Sequence, residues 1–233
     1  MSLELNFKMM TKFVGSLCVL FLIAALGCES APTPTPTPTP QSPIAFFRIV
    51  MTWPTTLCLT LKDGRRCVQR TAADFRMHGL WPAYANETSA VNCPNPPPYR
   101  RDIGEMVKPP LATWWPGYAK SDNLLWAEEW YKHGSCSGLT LMEYFSNASR
   151  LAYNLQKEIR NAFNLKGIVE GRSKLYTPKT YWDALLTQFN YEPQIWCKEH
   201  DRKKYLNEVC IVYPPELHSS KLLNQRHVFW MQK

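Results

Sequence analysis

The longest uninterrupted amphipathic pattern in the chain covers residues 140–165. This segment contains neither glycine nor proline, and its apolar side chains recur at intervals of three and four. They are Leu141, Tyr144, Phe145, Ala148, Leu151, Ala152, Leu155, Ile159 and Phe163. The spacing predicts one long helix whose apolar stripe is long enough to cover a face of a sheet.

Candidate strands precede and follow this helix along the sequence. Strands are predicted at 44–53, at 75–78 with Gly79 as the stop, at 195–197 and at 205–213. Further helices are predicted at 124–133 and 177–189, with a third at 101–107. Because helices and strands are mixed without regular βαβ alternation, the sequence favours the α+β class. A length of 233 residues suits one domain with a substantial core.

The first residues predict export. Lys8 and Lys12 precede an apolar run at 13–26, which is too short for a membrane anchor and is followed by small residues. We therefore expect a signal peptide at 1–30 and no stable membrane insertion. Alternating proline and threonine after it predict an extended linker at 31–43, and residues 44–233 form the predicted domain. A lipid anchor on Cys28 is the alternative outcome of processing.

Cysteines and charge fit an extracellular protein. Cleavage near Ser30 leaves six cysteines, an even number that suits an oxidising compartment. Cys58 and Cys67 flank a turn signal and are predicted to form a local disulfide in a hairpin-like loop; Cys93 and Cys136 are predicted to form a longer bridge. The net charge of +8 favours an anionic partner such as nucleic acid, or serves solubility alone. Asn86 and Asn147 begin triplets typical of N-glycosylation.

Two segments carry the candidate chemistry. Residues 74–82 contain His78 and Trp81, and residues 126–136 contain Glu129, Lys132 and His133. On a helix, Glu129 lies three and four positions before Lys132 and His133, so the three side chains share a face. Taken singly, each histidine fits a core or surface role equally well. The Cys93–Cys136 bridge would tie the loop after His78 to the residues just past His133.

Two histidines brought together suit cleavage of RNA without a metal. One imidazole accepts the proton of a ribose 2′-hydroxyl as it attacks the adjacent phosphorus, and the other protonates the departing 5′-oxygen. A lysine beside the non-bridging oxygens stabilises the charge that develops there. The Trp81 ring offers a flat wall for stacking a base. DNA lacks the nucleophile and should not be cleaved.

The two segments resemble a known family. Residues 75–82, Phe-Arg-Met-His-Gly-Leu-Trp-Pro, and residues 128–134, Glu-Glu-Trp-Tyr-Lys-His-Gly, are similar to the paired signature segments of the secreted ribonuclease T2 family. The resemblance extends over roughly 44–210 and implies a central antiparallel sheet packed by helices and stabilised by disulfides. It also implies cleavage through a 2′,3′-cyclic phosphate with low base specificity, without a cofactor.

The resemblance assigns roles to the residues that match. It implies that His133 is the general base, that His78 is the general acid, and that Glu129 and Lys132 stabilise the transition state. In this family Trp81 would hold a base. The assignment of acid and base between the two histidines is left open by the sequence.

Four features depart from the family pattern. Glu128 stands where the second segment usually opens with a histidine, and Leu125 and Thr52 replace residues of the family's second base pocket. These three positions are expected to contact substrate, with an altered base preference. Cys197 and Cys210 lack the later partners that relatives have, which leads us to expect that they pair with each other.

Three functions compete at this stage. The first is a secreted, monomeric endoribonuclease acting on single-stranded RNA, in defence or in pistil self-incompatibility with a protein recognition partner. The second is an RNA- or polyanion-binding defence or storage protein with a weakened site. A zinc hydrolase is disfavoured, because His200, His218 and His227 lack the spacing of metal ligands.

Overall fold

A computed structural model describes residues 43–62, 65–68, 74–103, 107–169 and 175–217. The predicted signal peptide, nearly all of the linker, His218 and His227 lie outside these residues. No helix within the described ranges is long and apolar enough to cross a bilayer.

In the part of the chain that the structure describes, four antiparallel strands form a single sheet. They are β1 (Phe46–Thr52), β2 (Arg76–Ala83), β3 (Gln194–His200) and β4 (Lys203–Tyr213). Their order across the sheet is β2-β1-β4-β3, so β1 and β4 are central and the other two strands are edges. The order brings β4, from the end of the described chain, within one strand of β2.

Within the described ranges, five helices accompany the sheet. They are α1 (Pro54–Leu59), α2 (Lys108–Trp114), α3 (Asp122–Lys132), α4 (Leu141–Leu165) and α5 (Pro178–Phe189). A short 3-10 turn, Gly134–Cys136, follows α3. The mixture of elements, the antiparallel sheet and two disulfides confirm the predicted α+β class.

The long amphipathic helix is confirmed as α4. Thr140 caps its first turn: the Thr140 hydroxyl accepts a hydrogen bond from the Glu143 N–H, and the Glu143 carboxylate accepts one from the Thr140 N–H. The buried stripe of α4 joins one hydrophobic cluster with Phe47, Ile49 and Met51 of β1. Alternate residues of a central strand thus face the helices, and the core lies between α4 and the sheet.

Two sequence predictions fail at proline and glycine. β2 does not end at Gly79 but continues through Pro82 to Ala83. Because β2 is an edge strand, a proline within it leaves a central ladder intact. The described ends of the predicted helix at 101–107 are not helical, and residues 104–106 lie outside the described residues. Helix α2 begins at Lys108, and Pro109 and Pro110 occupy its first turn, where a missing N–H has no consequence.

Two of the predicted disulfides, one local and one longer, are present. Cys58 and Cys67 are bonded, with Cα atoms 5.6 Å apart, although Cys58 lies in helix α1 rather than in a hairpin-like loop. Cys93 and Cys136 are bonded across 43 residues. The second bridge ties the loop after β2 to the turn that follows α3.

The predicted Cys197–Cys210 disulfide is wrong. Both residues are free thiols, on adjacent strands that pair antiparallel. Cys210 lies opposite Gln194, so Cys197 is three residues, or about 10 Å, farther along the ladder. A disulfide requires Cα atoms within about 7 Å, and the register of β3 and β4 prevents that.

The glycosylation prediction fails at Asn147. This residue is only 7% exposed within α4, and its side-chain Nδ2, the atom that a glycan would modify, donates a hydrogen bond to the Glu143 carbonyl at 2.9 Å. The folded helix therefore excludes a glycan there. Asn86 lies in an exposed turn, and its Oδ1 accepts hydrogen bonds from the N–H and hydroxyl of Thr88; glycosylation at Asn86 stays a prediction.

Candidate active site

A β-bulge in β2 positions His78. Val50 of β1 pairs with Gly79 and Met51 pairs with Met77, which leaves His78 as the extra residue between two registered pairs. Such a bulge re-aims one side chain out of the regular alternation. The His78 carbonyl is held in turn by the indole N–H of Trp115 at 2.7 Å.

Two carboxylates approach the His78 ring from different elements. Oε1 of Glu208, on β4, lies 2.7 Å from Nδ1, and Oε1 of Glu129, on α3, lies 3.9 Å from Nε2. Burial lowers the pKa of His78, because it disfavours the charged imidazolium. This effect is limited by solvent, since 38% of the side chain is exposed. The Glu208 hydrogen bond and the charges of both carboxylates outweigh burial, and the pKa of His78 is raised.

The helix α3 delivers the second group of side chains. Glu129 and Lys132 occupy its last turns and His133 is the residue that ends it, with its N–H bonded to the Glu129 carbonyl at 2.9 Å. The sequence predicted that the three side chains share a helical face; Glu129 and Lys132 line one cleft, whereas His133 caps the helix with a non-helical backbone and lies outside that cleft. Burial raises the pKa of Glu129, which is 7% exposed, against the lowering effect of His78, Trp81 and Lys132.

His133 is enclosed. The residue is 3% exposed, and its ring nitrogens make no hydrogen bond of good geometry within the described residues; a weak backbone contact at Ala90 is the only polar influence there that raises the pKa of His133. Burial, followed by the positive charges of Lys132 and His78, lowers the pKa of His133 to about 3. The imidazole is therefore neutral, with a lone pair free to accept a proton.

Trp81 lies between the two histidines. Its ring stacks on His133 with centroids 5.0 Å apart and an interplanar angle of 22°, and it meets the His78 ring edge-on at 5.3 Å. Its indole N–H donates to Oε2 of Glu129 at 3.0 Å. Both imidazoles thus contact one indole, and the chain has brought together two rings that are 55 positions apart.

Gly79 makes this arrangement possible. A Cβ atom at position 79 would collide with Nε1 of Trp81 and Oε2 of Glu129, the two atoms joined by the hydrogen bond. Only a residue without a side chain lets the indole and the carboxylate meet over the β2 backbone.

A cleft of about 290 Å³ opens beside His78. Its charged lining comprises His78, Lys120, Glu128, Glu129, Lys132 and Glu208. Of the four predicted substrate-binding residues, Thr52, Leu125 and Glu128 line this cleft, whereas Trp81 does not. His133 is also absent from the lining, because Trp81 covers it. The sites of predicted proton donor and acceptor are adjacent, but only the first faces the cleft.

Sequence reasoning missed two charged residues of the cleft. Lys120 forms an ion pair with Glu128, the residue that departs from the family pattern. Glu208 contacts His78 directly. The available signal for Glu208 was a carboxylate within the otherwise apolar strand pattern at 205–213, where a charge needs a partner. The described residues contain no group of three or more His, Cys, Asp or Glu side chains placed to hold a metal ion.

Comparison with known proteins gives consistent matches. Residues 44–224 match the model of the Ribonuclease T2 family. The chain is 30% identical over 173 residues to Ribonuclease MC of Momordica charantia, covering 70% of this chain and 85% of the relative. It is 28% identical over 194 residues to Ribonuclease 1 of Arabidopsis thaliana, covering 79% of each. The structure of the self-incompatibility associated SF11-RNase of Nicotiana alata superposes with a TM-score of 0.65 at 26% identity, covering 76% of this chain and 89% of that one.

Proposed function

Because the chain belongs to the Ribonuclease T2 family and is an endoribonuclease, we propose that it cleaves single-stranded RNA by internal attack of a ribose 2′-hydroxyl, with His133 as general base and His78 as general acid. The P–O5′ bond breaks as the 2′-oxygen bonds to phosphorus, giving a 2′,3′-cyclic phosphate and a 5′-hydroxyl. The observation that carries this proposal is the placement of two oppositely shifted imidazoles on one indole.

The pKa shifts support this division of roles. A base must be neutral to accept a proton, and burial keeps His133 neutral in the closed site by lowering its pKa to about 3. Uncovering the ring would return that pKa toward about 6.5, where an imidazole is an effective base. An acid must hold a proton at working pH; although burial opposes it, the carboxylates Glu208 and Glu129 raise the pKa of His78. Two titratable groups whose surroundings separate their pKa values are the usual acid and base of such a pair.

His133 has to be uncovered before it acts. We propose that the Trp81 ring turns away when RNA enters, giving up its hydrogen bond to Glu129. A hydrogen bond to a charged group contributes about 1.5–3 kcal/mol, and stacking of one base on an aromatic ring returns about 1–3 kcal/mol. Opening also gives up the stack of Trp81 on His133, about 0.5–1.5 kcal/mol, so base stacking offsets part of the cost and the other contacts of the bound RNA supply the remainder. Trp81 then becomes the stacking wall.

Lys132 and Glu129 complete the reacting centre. Lys132 is exposed and lines the cleft, where its ammonium group stabilises charge on the non-bridging phosphate oxygens. Glu129 holds Trp81 in the closed state and adds negative charge beside Nε2 of His78. The two imidazoles move the protons, and Lys132 and the carboxylates supply the charges, so the scheme requires neither a metal nor a cofactor.

The far side of the cleft is proposed to hold the leaving nucleoside. Thr52 and Leu125 line it, and Glu128 joins Lys120 across it. The ion pair replaces the histidine typical of the family with a fixed pair of opposite charges. Such a pair offers a donor and an acceptor to the base edge, which would impose a base preference on the leaving side.

The biological setting is proposed from the sequence. The leader at 1–30 and the linker at 31–43 would deliver the domain at 44–233 out of the cell as a monomer, where the Cys58–Cys67 and Cys93–Cys136 bridges are stable. Defence and self-incompatibility both remain open roles; the second would require a protein recognition partner. A weakened RNA-binding protein is the alternative function, favoured only by the departures at Thr52, Leu125 and Glu128.

Point variants assayed in excess EDTA test the proposal. His78→Ala and His133→Ala should each reduce cleavage of single-stranded RNA by about 10² to 10⁴, the contribution of acid–base catalysis. His200→Ala, at the end of β3, is the matched control and should cleave normally. Rates should follow a bell-shaped pH profile. Near-normal turnover in either of the first two variants, with the fold intact by circular dichroism, would refute the assignment.

A further inference from the structure

Glu208 occupies an unusual position for a carboxylate. It lies in the central strand β4, paired with Thr52 on one side and Trp196 on the other, and its side chain is only 17% exposed. A partly buried charge in a sheet requires a specific partner. That partner is Nδ1 of His78, 2.7 Å from Oε1, which makes Glu208 and His78 a hydrogen-bonded pair on strands separated only by β1.

We propose that Glu208 is a positioning residue for the reaction, orienting His78 and fixing which ring nitrogen faces the scissile bond. The proposal rests on the proposed function of His78 as the general acid. A carboxylate can only accept, so Nδ1 must carry a hydrogen in every protonation state that keeps this bond. Nε2 is then the nitrogen that exchanges its proton with substrate, and it is the nitrogen turned away from Glu208.

The proton balance of the step agrees with this orientation. In the imidazolium form both nitrogens carry hydrogen, and the Nε2 proton passes to the 5′-oxygen as the P–O5′ bond breaks. The ring left behind is neutral, with its remaining hydrogen on Nδ1 and still bonded to Glu208. Its free Nε2 lone pair is the group that the return step, proton uptake from water, requires.

Glu208 and Glu129 act on His78 in different ways. Glu129 lies 3.9 Å from Nε2, beyond hydrogen-bond distance, and its other oxygen is engaged by Trp81. Glu129 therefore contributes charge, whereas Glu208 contributes both charge and direction. Lys132 and His133 also face His78. The positive charge of Lys132 lowers the pKa of His78, but this effect is smaller than those of burial and of the two carboxylates.

The backbone of His78 is fixed as firmly as its ring. The bulge in β2 sets the direction of the side chain, and the Trp115 indole N–H holds the His78 carbonyl at 2.7 Å. With Glu208 on Nδ1, the residue is anchored at both ends and only Nε2 is left for chemistry. Anchoring of this kind aligns a proton donor before substrate arrives.

The test replaces the charge and keeps the shape. In Glu208→Gln the amide oxygen can still accept from Nδ1, but the negative charge is gone. We expect kcat on single-stranded RNA in EDTA to fall about 10- to 100-fold, a part of what acid–base catalysis contributes, with KM within about twofold. Glu199→Gln, the same exchange at an exposed position of β3, should match the unmodified protein.

The pH profile separates positioning from a structural role. Loss of a neighbouring negative charge lowers the pKa of His78, so the alkaline limb of kcat/KM should move to lower pH by about one unit. The ring titration of His78 followed by NMR should move in the same direction. An unshifted limb together with an unchanged kcat would overturn the proposal while leaving the function of His78 intact.

A second variant covers loss of folding. If Glu208→Gln does not fold, Glu208→Asp keeps the charge and shortens the side chain by one methylene. It should fold, lose about tenfold in kcat through misalignment, and keep the alkaline limb near its original pH. Full activity in Glu208→Asp would overturn the positioning role. An active His78→Ala would instead refute the proposed function on which the role depends.

Discussion

The enclosure of His133 has a consequence for acid stability. The imidazole is neutral in the folded protein because burial, with the charges of Lys132 and His78, lowers its pKa to about 3. In the unfolded chain the pKa returns to about 6.5. Since the depressed value belongs to the folded state, the stabilising contribution of neutral His133 is complete above pH 6.5 and is lost as the pH falls toward 3.

The magnitude follows from these two values. Between them the free energy of unfolding falls by about 1.4 kcal/mol per pH unit, and the loss from pH 7 to pH 4 is about 3 kcal/mol. His133→Phe removes the titrating group and keeps an aromatic ring against Trp81. We therefore expect the variant to be about 3 kcal/mol less sensitive to this change in pH than the unmodified protein.

Urea unfolding at pH 7, 5.5 and 4 measures the difference. Gln156→Leu is the control, because Gln156 is 2% exposed with an unpartnered Nε2 and does not titrate. That variant should shift stability equally at all three pH values. Parallel pH dependence in His133→Phe and the unmodified protein would show that folding does not lower the pKa of His133, and would refute its enclosure as a neutral base.

Two further predictions concern the residues around the indole. Lys132→Ala should slow RNA cleavage by about 10² to 10³ at saturating substrate, because it removes the cation that faces the phosphate; an unchanged kcat would place the charge elsewhere. Gly79→Ala should lower the free energy of unfolding by about 1–3 kcal/mol through overpacking against Trp81 and Glu129. The second is checked by urea unfolding, and an unchanged midpoint would show that the indole and carboxylate separate without loss.

Elements with a local pattern were predictable from the sequence. Helix α4 follows from a stripe at three- and four-residue spacing, and Thr140 marks its start. Strand β1 follows from a β-branched and aromatic run. Local periodicity is sufficient in these cases because the residues that define each element also form its buried face.

The β2 strand was harder to predict, because the conformation of its unusual residues depends on the elements that pack against the strand. Gly79 and Pro82 resemble stop signals, but Gly79 admits the Trp81–Glu129 contact and Pro82 lies on an edge. His78 sits at a bulge that is visible only once β1 is paired with β2. Strand register set the bulge at His78, whereas strand order and packing against α3 set the roles of Pro82 and Gly79; a single strand encodes none of these.

The candidate site was predictable in its members and not in its geometry. The sequence identified His78 and His133 through their neighbours, but not that Trp81 would stack on His133 and close it from the cleft. Nor did it identify Glu208, which reaches His78 only because β4 lies one strand away from β2. Both features arise from contacts between segments far apart along the chain.

The measurement that tests the account most directly uses one dinucleoside phosphate in two forms, with a free and with a methylated 2′-hydroxyl, incubated in excess EDTA and followed by phosphorus NMR. Internal attack by the 2′-oxygen predicts a 2′,3′-cyclic phosphate from the free form and no cleavage of the methylated form. A 5′-phosphate product, cleavage of the methylated form, or complete dependence on a divalent ion would contradict it.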